Sequence, residues 1–482
     1  MAATSAEAAP CDRLKGLRVP ALRIDRATPV AQPVPYCRVE ATIEKEIGVE
    51  LWLPERAAWN GRMLTGGVGG QAGSFNQIEL ARGVRRGYAS ASTDTGHKAA
   101  DKHWLLMRPD RAANYAHRAQ HLLAVKARAV LRHVYGRRPD HAFFVGCSGG
   151  GRQALTEVQR YPRDYDGVIA GAPGVNTPEM SARRMWEMQR HSQWAAAVPP
   201  SVWKLVTRSA IAQCDGDDGV KDGVVADPRQ CRFDPAGLLC KPGETGAQCL
   251  SPEQVDAVRT IYAPLHDEDG QRIDQGLVWT ASVSPAPLPE PFTPGPSYLA
   301  TVLFADGVHD DPAWDARQFR IARDLPAIDR LMNLHAADPA IDPFTWAGGK
   351  LILYQGWDDP LVSALSTLGY WDALSARFGT RLDASVRLFM APGVDHCRGG
   401  PGADLFGGAG GDSPQVDPRH DLLSALEDWV LRGKAPQTII ATKIPADGAP
   451  GRTQPLCVWP ARAVWNGVGD SAVASSYTCR KD

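Results

Sequence analysis

The 482-residue sequence has almost no net charge, because 53 Lys and Arg residues oppose 54 Asp and Glu residues. It lacks the basic excess with which nucleic-acid-binding proteins attract phosphates, so we expect no nucleic-acid partner. It also lacks an apolar run of about eighteen residues, the length that a helix needs to cross a bilayer, so we expect no membrane span. With 44% hydrophobic and 22% charged residues, the composition is typical of a folded globular protein.

No two of the ten cysteines have the CxxC spacing of zinc ribbons and thioredoxin-like redox sites. Their even number favours disulfides, which predicts an oxidising compartment. The first ten residues, MAATSAEAAP, have neither the basic nor the apolar region of a signal peptide. We interpret the chain as the mature form of a secreted or periplasmic protein with an added Met; the alternative is a cytosolic enzyme with ten free thiols.

Short apolar runs alternate with helical patterns towards both ends of the chain, which predicts an α/β fold with a largely parallel sheet. Predicted strands cover residues 49–53, 62–65, 88–92, 142–145, 168–170, 350–354 and 386–390. Predicted helices cover residues 117–135, 152–160, 363–378 and 421–431.

Residues 175–346 break this alternation and are rich in Pro, Asp and Trp. A structureless loop of that length is uncommon inside a compact domain, so we predict a folded lid with its own core. The predicted organisation is a catalytic domain made of residues 1–174 and 347–482, interrupted by a lid domain at 175–346. Tryptophans in this lid are candidates to clamp an aromatic ring, although core packing is the commoner role: Trp186, Trp194, Trp203, Trp279 and Trp314.

The segment GCSGG at residues 146–150 fits the G-x-S-x-G motif, in which a serine nucleophile occupies a sharp turn between a strand and a helix. Glycine is common in this chain, so the motif alone is weak. A predicted strand precedes it, however, and a predicted helix follows. We therefore predict that Ser148 is a nucleophile rather than part of an ordinary Gly-Ser turn.

A serine nucleophile needs a neighbouring base, and the base needs an orienting acid. In folds with this motif both partners follow later strands, in the order Asp or Glu, then His. The predicted strand at 350–354 is followed by GWDDP, and the strand at 386–390 by APGVDHC. These segments offer Asp358 or Asp359 as the acid and His396 as the base. The alternative for His396 is a surface histidine beside an acid.

Cysteines flank two of these candidates, since Cys147 precedes Ser148 and Cys397 follows His396. If Ser148 and His396 are within hydrogen-bond reach, their neighbours fall near the Cα separation that a disulfide tolerates. We therefore predict a Cys147–Cys397 disulfide that joins the nucleophile to the base.

An oxyanion formed during ester hydrolysis needs two backbone N–H donors. Gly149, directly after the nucleophile, is expected to supply one, and a glycine loop after an early strand the other. Residues 66–73, GGVGGQAG, form such a loop. Its spacing is not G-x-G-x-x-G and it opens no clear helix, so it does not favour dinucleotide binding.

In a short acidic stretch, DGDDGVKDGVVADPRQ at residues 215–230, the carboxylates of Asp215, Asp218 and Asp222 recur within eight residues. Three carboxylates and nearby carbonyl groups suit a hard cation such as Ca²⁺. An EF-hand is excluded, because Gly219 holds the fifth position and Ala226 the twelfth, where Glu is required. The alternative is a solvated acidic turn, but its carboxylates would repel one another, so we predict a structural metal ion.

Segments spread over nearly the whole chain resemble the tannase and feruloyl esterase family of serine esterases, which includes mono(2-hydroxyethyl) terephthalate hydrolase. They are LPERAAWNGRMLTGGVGGQAG, YASASTDTGH, FFVGCSGGGRQALTEVQRYPRDYDGVIAGAPG, CDGDDGVKDGVVADPRQCRFDP, GGKLILYQGWDDPL and APGVDHCRGGPG. The resemblance implies an α/β-hydrolase core with a large calcium-containing lid, a Ser-Asp-His triad, and a disulfide beside Ser and His.

Individual residues follow from the same resemblance. It selects Asp359 as the acid and Gly70, with Gly69 next, as the second oxyanion donor. It implies a calcium site formed by the side chains of Asp215, Asp218 and Asp222 and the carbonyl groups of Val220 and Val224. With short sequence separation, it also pairs the remaining cysteines as Cys11–Cys37, Cys214–Cys231, Cys240–Cys249 and Cys457–Cys479. The chain departs from the family pattern at Gln355, where YHG is usual, and at Val68, which interrupts a four-glycine run.

We therefore expect a secreted or periplasmic serine esterase that acts on small aromatic carboxylic esters of the feruloyl, galloyl or terephthaloyl type through an acyl-enzyme. One alternative is a different serine hydrolase, such as an aliphatic polyester depolymerase. Another is a calcium-stabilised binding module without catalysis, which an intact Ser, Asp and His set argues against.

Overall fold

The computed structural model describes residues 10–194, 198–244, 248–285, 288, 298–445 and 451–481. One large mixed sheet organises it. Its strands in chain order are β1 (Leu22–Val30), β2 (Tyr36–Ile43), β3 (Ile47–Pro54), β4 (Arg62–Gly66), β5 (Ala89–Thr93), β6 (His141–Cys147), β7 (Gly167–Gly171), β8 (Lys350–Gly356) and β9 (Val386–Ala391). They lie side by side in the order β1-β2-β3-β5-β4-β6-β7-β8-β9.

The sheet changes from antiparallel to parallel at β5. Strands β1, β2 and β3 pair antiparallel, and β3 is also antiparallel to β5. Strands β5, β4, β6, β7, β8 and β9 are parallel neighbours. The carboxyl ends of the parallel strands therefore meet at one edge, which we call the catalytic edge.

Helices flank this sheet. The α-helices are α1 (Pro10–Arg13), α2 (Gln77–Arg85), α3 (Pro109–Ala113), α4 (Ala119–Tyr135), α5 (Gly149–Arg160), α6 (Thr177–Trp194), α7 (Pro200–Cys214), α8 (Pro252–Tyr262), α9 (Tyr298–Val302), α10 (Ile321–Met332), α11 (Asp342–Trp346), α12 (Ala364–Phe378) and α13 (Leu422–Arg432). Within the described ranges, no helix has the length and apolarity needed to cross a membrane.

Alternation along the strands places helices on both faces. Phe144 of β6 belongs to the core that α4, α5 and α12 share, whereas its neighbours Phe143 and Val145 pack with Leu426 and Trp429 of α13. Successive strand residues point to opposite faces, so a sheet covered on both sides needs the continuous apolar runs seen in these strands. This arrangement is the α/β-hydrolase fold, which confirms the predicted fold class.

Every strand predicted from the sequence is present, but others were missed. Strand β1 reads LRIDRATPV and is mostly exposed or half-buried, so it has no apolar run to reveal it. Two small hairpins near the carboxyl terminus were also missed: β10 (Thr438–Lys443) with β11 (Arg452–Cys457), and β12 (Arg462–Trp465) with β13 (Tyr477–Arg480).

The chain between β7 and β8 forms helices α6 to α11, and its described residues add no strand to the large sheet. Its apolar residues fall into two groups. Trp203 and Ile261 join the core on one face of the sheet. Met185 and Phe304 pack instead with Trp104, which comes from the segment before α3. The insertion is thus folded and packs against the sheet domain, while the lid boundary at 175–346 stays a prediction.

Candidate active site

Ser148 stands on the sharp turn between β6 and α5. Its backbone has φ 61° and ψ −122°, a left-handed conformation that is uncommon for residues other than glycine. The turn is crowded, since a Cβ on Gly146 would lie 2.4 Å from the carbonyl oxygen of Gly150. The Ser148 N–H donates to the Gly171 carbonyl at 3.0 Å, which fixes the turn to the end of β7. Glycines at these positions thus let the serine project from the catalytic edge.

His396 and Asp359 form a hydrogen-bonded pair at the same edge. Nδ1 of His396 lies 2.8 Å from Oδ2 of Asp359. The other carboxylate oxygen accepts the N–H groups of Leu361 at 2.8 Å and Val362 at 2.9 Å. Asp359 is 1% exposed, so these bonds replace the hydrogen bonds that water would donate to an exposed carboxylate. A base held by its Nδ1 atom presents Nε2 for proton transfer.

Gln355, which replaces the histidine of the family pattern, also contacts the acid. Its Nε2 donates to Oδ2 of Asp359 at 3.2 Å and to the Gly356 carbonyl at 3.0 Å. Its Oε1 accepts from the Thr367 hydroxyl at 2.8 Å. Sequence reasoning missed this role, although a glutamine in a buried strand just before the acid was a usable signal. Gln355 thus supplies a hydrogen-bond donor directed at Asp359.

Asp358, the other candidate acid, points elsewhere. Its Oδ1 accepts the hydroxyl of Thr280, a residue of the insertion. Burial raises the pKa of Asp358 to about 7, and the negative charge of Asp395 adds to the rise. The structure thus places Asp359, and not Asp358, beside His396.

All ten cysteines lie in disulfides, with the pairing expected above: Cys11–Cys37, Cys147–Cys397, Cys214–Cys231, Cys240–Cys249 and Cys457–Cys479. The central pair has its Cα atoms 6.0 Å apart and spans 250 residues. It joins the residue before Ser148 to the residue after His396. The end of β6 and the loop after β9 are therefore covalently connected across β7 and β8.

The glycine loop after β4 packs against the serine turn. A Cβ on Gly69 would lie 3.8 Å from Cβ of Ser148, and one on Gly149 would lie 3.2 Å from the Gly70 nitrogen. Gly70 has φ +56°, which a side chain would strain. Gly69 thus lies beside Ser148, and Gly70 lies beside Gly149.

Two polar side chains fix this loop. The Gln153 side chain accepts from the Val68 N–H at 3.0 Å and donates to its carbonyl at 3.1 Å. The Tyr115 hydroxyl donates to the Gly70 carbonyl at 2.8 Å. The Gly67 N–H donates to the Val145 carbonyl at 2.9 Å. Among the described residues, the N–H groups of Gly69 and Gly70 have no recorded acceptor, which leaves them available to an oxyanion.

Comparison with known proteins identifies the family. The family model for tannase and feruloyl esterase matches residues 30–480. The chain belongs to the tannase and feruloyl esterase family. It is 33% identical to an uncharacterized esterase of Xanthomonas campestris, over 99% of this chain and 92% of that protein. It is 30% identical to a probable feruloyl esterase B-1 of Aspergillus terreus, over 92% of this chain and 84% of that protein.

A solved structure shares the fold. Feruloyl esterase B from Aspergillus oryzae superposes with a TM-score of 0.90, at 23% identity, over 98% of this chain and 99% of that chain. Members of the tannase and feruloyl esterase family are carboxylic ester hydrolases, and so is this protein. Membership of an enzyme family does not favour the alternative of a binding module without catalysis.

The acidic turn of this esterase holds its carboxylates mainly with backbone N–H groups. Oδ1 of Asp215 accepts from Asp222 at 3.0 Å, from Gly223 at 2.9 Å and from Val224 at 3.1 Å. Oδ1 of Asp218 accepts from the Val220 N–H at 2.9 Å. These contacts wrap residues 215–224 around the Asp215 carboxylate.

Uncompensated negative charge remains in this turn. Burial raises the pKa of Asp218 and of Asp222, and the charge of Asp215 adds to both rises. The guanidinium of Arg452 pairs with Asp222. Within the described part of the chain, no three His, Cys, Asp or Glu side chains are arranged as ligands of one metal ion. The donor chemistry fits a hard cation, and calcium binding here stays a prediction.

The tryptophans proposed as ring clamps differ in exposure. Trp203 and Trp314 are buried. Trp279 stacks on Tyr262 with ring centroids 4.6 Å apart, and Trp186 is only partly buried. The side chain of Trp194 lies outside the described part of the structure. Packing against neighbouring side chains accounts for Trp203, Trp279 and Trp314.

Proposed function

We propose that the protein is a serine esterase that hydrolyses aromatic carboxylic esters through an acyl-enzyme. The bonded pair of His396 and Asp359, joined by the Cys147–Cys397 disulfide to the turn that carries Ser148, is the strongest support. Ser148 follows β6, Asp359 follows β8 and His396 follows β9, and these three strands end at the same edge of the sheet. The chain order Ser, Asp, His is the one found in serine hydrolases with a strained serine turn.

Each residue has a defined role in the proposed reaction. Ser148 Oγ attacks the ester carbonyl while His396 takes its proton, and Asp359 stabilises the imidazolium that forms. The N–H groups of Gly149 and Gly70 or Gly69 bind the oxyanion. His396 then protonates the leaving alcohol. Water, deprotonated by the same histidine, attacks the acyl-enzyme and releases the carboxylic acid and Ser148.

An aromatic acyl group is the substrate class that we favour. The name of the Aspergillus terreus relative points to a feruloyl ester. Aromatic side chains also lie beside the glycine loop, where the Tyr115 hydroxyl donates to the Gly70 carbonyl and the Trp104 indole donates to Gln71. Feruloyl, galloyl and terephthaloyl esters all present a flat ring beside the scissile carbonyl. An aliphatic polyester lacks that ring, so it is the competing substrate in the test.

The test compares kcat/KM for methyl ferulate, methyl gallate and mono(2-hydroxyethyl) terephthalate with that for ethyl butyrate and an emulsified aliphatic polyester. We expect at least one aromatic ester to exceed both aliphatic substrates by about tenfold or more. Ser148→Ala should lose nearly all turnover with every substrate, by a factor of about a million, while remaining folded. Preference for the polyester would overturn the aromatic assignment, and retention of more than about a hundredth of the rate would overturn the nucleophile.

We also propose that the acidic turn binds a structural calcium ion and that the protein is secreted or periplasmic. Closely spaced carboxylates at Asp215, Asp218 and Asp222 support the first proposal. When bound, calcium would supply charge that offsets their repulsion. Five disulfides support the second, because such bonds persist in oxidising compartments.

A further inference from the structure

A basic groove lies at the edge of the sheet opposite Ser148. It has a volume of about 710 Å³ and is bordered by residues 17–20, helix α4 and the loops that precede β6 and β7. Among the residues that the structure describes, five arginines line it: Arg18, Arg128, Arg132, Arg138 and Arg163. We call this the arginine groove. It is remote from the serine turn, because the amino ends of β6 and β7 border it.

The positive charge of the arginine groove is poorly compensated. Among the described lining residues, Asp164 is the one with a carboxylate, and that group is engaged by His121 Nδ1 at 2.6 Å and by Arg128 Nη1 at 3.8 Å. The four remaining arginines are exposed and have no ion pair recorded within the described part of the chain: Arg18, Arg132, Arg138 and Arg163. In a chain whose charges balance overall, such a local excess creates a field that attracts anions.

The lining residues indicate which anion fits. Arginine presents a planar fork of donors that binds a carboxylate through two parallel hydrogen bonds. Several arginines around one groove suit a polymer with repeated carboxylates better than a single small anion. No Trp, Tyr or Phe is among the described lining residues, so the stacking platform used for single-stranded nucleic acids is missing. The surface is concave, with Leu17, Val19 and Val125 its larger apolar side chains, and its described residues do not form the broad apolar face that inserts into a lipid surface.

We propose that the arginine groove binds an acidic polysaccharide, a chain of uronic acid residues. Arg138 precedes β6 and Ser148 follows it, so the length of that strand, about 20 Å, separates the groove from the nucleophile. An occupied groove therefore leaves the catalytic edge open. The esterase is bound to an anionic polymer while it hydrolyses esters at its opposite edge. This proposal does not depend on which acyl group the esterase prefers.

Affinity electrophoresis in native gels tests this proposal directly. The gels contain polygalacturonate, uncharged dextran or no polymer, and the protein is compared with two variants. The groove variant changes Arg18, Arg132, Arg138 and Arg163 to Gln. The control variant changes four exposed arginines elsewhere to Gln: Arg208, Arg232, Arg330 and Arg419. Both variants lose the same charge, so their mobilities without polymer are matched.

Polygalacturonate, but not dextran, should retard the unchanged protein and the control variant. The groove variant should bind at least about tenfold more weakly, and added salt should weaken retardation because exposed charges are screened. All three proteins should hydrolyse p-nitrophenyl acetate at the same rate, which shows that they are folded. The proposal is overturned if polygalacturonate does not retard the unchanged protein at low salt, or retards the groove variant equally. Stronger binding to phosphatidylglycerol vesicles than to polygalacturonate would overturn it in favour of a membrane surface.

Discussion

Two disulfides of this esterase each border a set of aspartates, but the surroundings of those aspartates differ. Beside Cys147–Cys397, the Asp359 carboxylate meets the N–H groups of Leu361 and Val362, together with Gln355 and His396. Inside Cys214–Cys231, Asp215, Asp218 and Asp222 share one acidic turn, and within the described residues the side-chain cation that pairs with Asp222 is Arg452.

The difference teaches how each region is stabilised. The acid at the catalytic edge has its donors built into the fold, so it is preorganised without any ion. In the acidic turn, burial raises the pKa of Asp218 and of Asp222 and the charge of Asp215 adds to both rises, so an added cation would stabilise the ionised carboxylates. Catalysis and ion binding are therefore expected to separate when each region is perturbed.

Asp359→Asn should produce the largest effect. The amide no longer favours the charged imidazolium, and an equivalent change in a Ser-His-Asp enzyme lowers kcat by about ten-thousand-fold. Melting temperature should change little by comparison. Asp358→Asn is the matched control, because its side chain bonds Thr280 and not His396. A greater loss of kcat in Asp358→Asn than in Asp359→Asn would mean that the acid is assigned wrongly.

A double Cys→Ser change that removes a disulfide should lower the free energy of unfolding, and by more at Cys147–Cys397 than at Cys214–Cys231. In the chain-entropy model, loss of the bond that spans 250 residues costs about 5 kcal/mol, against about 3 kcal/mol for the bond that spans 17. Only loss of Cys147–Cys397 should also lower kcat, because it holds the turn that carries Ser148. Chemical denaturation and initial rates check both statements, and equal kcat in the two variants would contradict them.

Chelation should act on the acidic turn and spare the chemistry. An ion bound only to the folded state stabilises it by mass action, by about 3 kcal/mol when its concentration is a hundred times Kd. We expect a strong chelator to lower the melting temperature and added calcium to restore it. The initial rate on a small aryl ester should persist below the lowered melting temperature. Immediate, complete loss of that rate at an unchanged melting temperature would show that the metal is catalytic.

Asp358→Asn should change how stability depends on pH. The pKa of Asp358 is raised to about 7 in the folded protein, so the neutral acid is favoured there and its ionisation opposes folding. The contribution of Asp358 to folding stability is fully present below about pH 4 and is lost as pH rises to about 7. Between pH 5 and pH 8, the melting temperature of the variant should therefore fall by less than that of the unchanged protein. The same change of melting temperature with pH in both proteins would rule out this role for Asp358.

Much of the catalytic edge could be predicted because its residues follow regular strands. The GCSGG turn after β6 and the loops after β8 and β9 are local signals that strand order brings to one edge. The contact between Thr280 and Asp358 could not be found this way, because it joins the irregular insertion to the core. The arginine groove likewise combines residues 17–20, 125–138 and 163–164, which only tertiary packing brings together.

Covalent trapping of the nucleophile tests the central assignment most directly. The protein is incubated with an organophosphate ester that transfers its phosphoryl group to activated serines, then digested and mapped by mass spectrometry. Our account predicts one stoichiometric adduct on Ser148, with loss of esterase activity in proportion, and strongly slowed labelling in His396→Ala because the base is missing. A stoichiometric adduct on another residue, or full activity after complete labelling of Ser148, would contradict it.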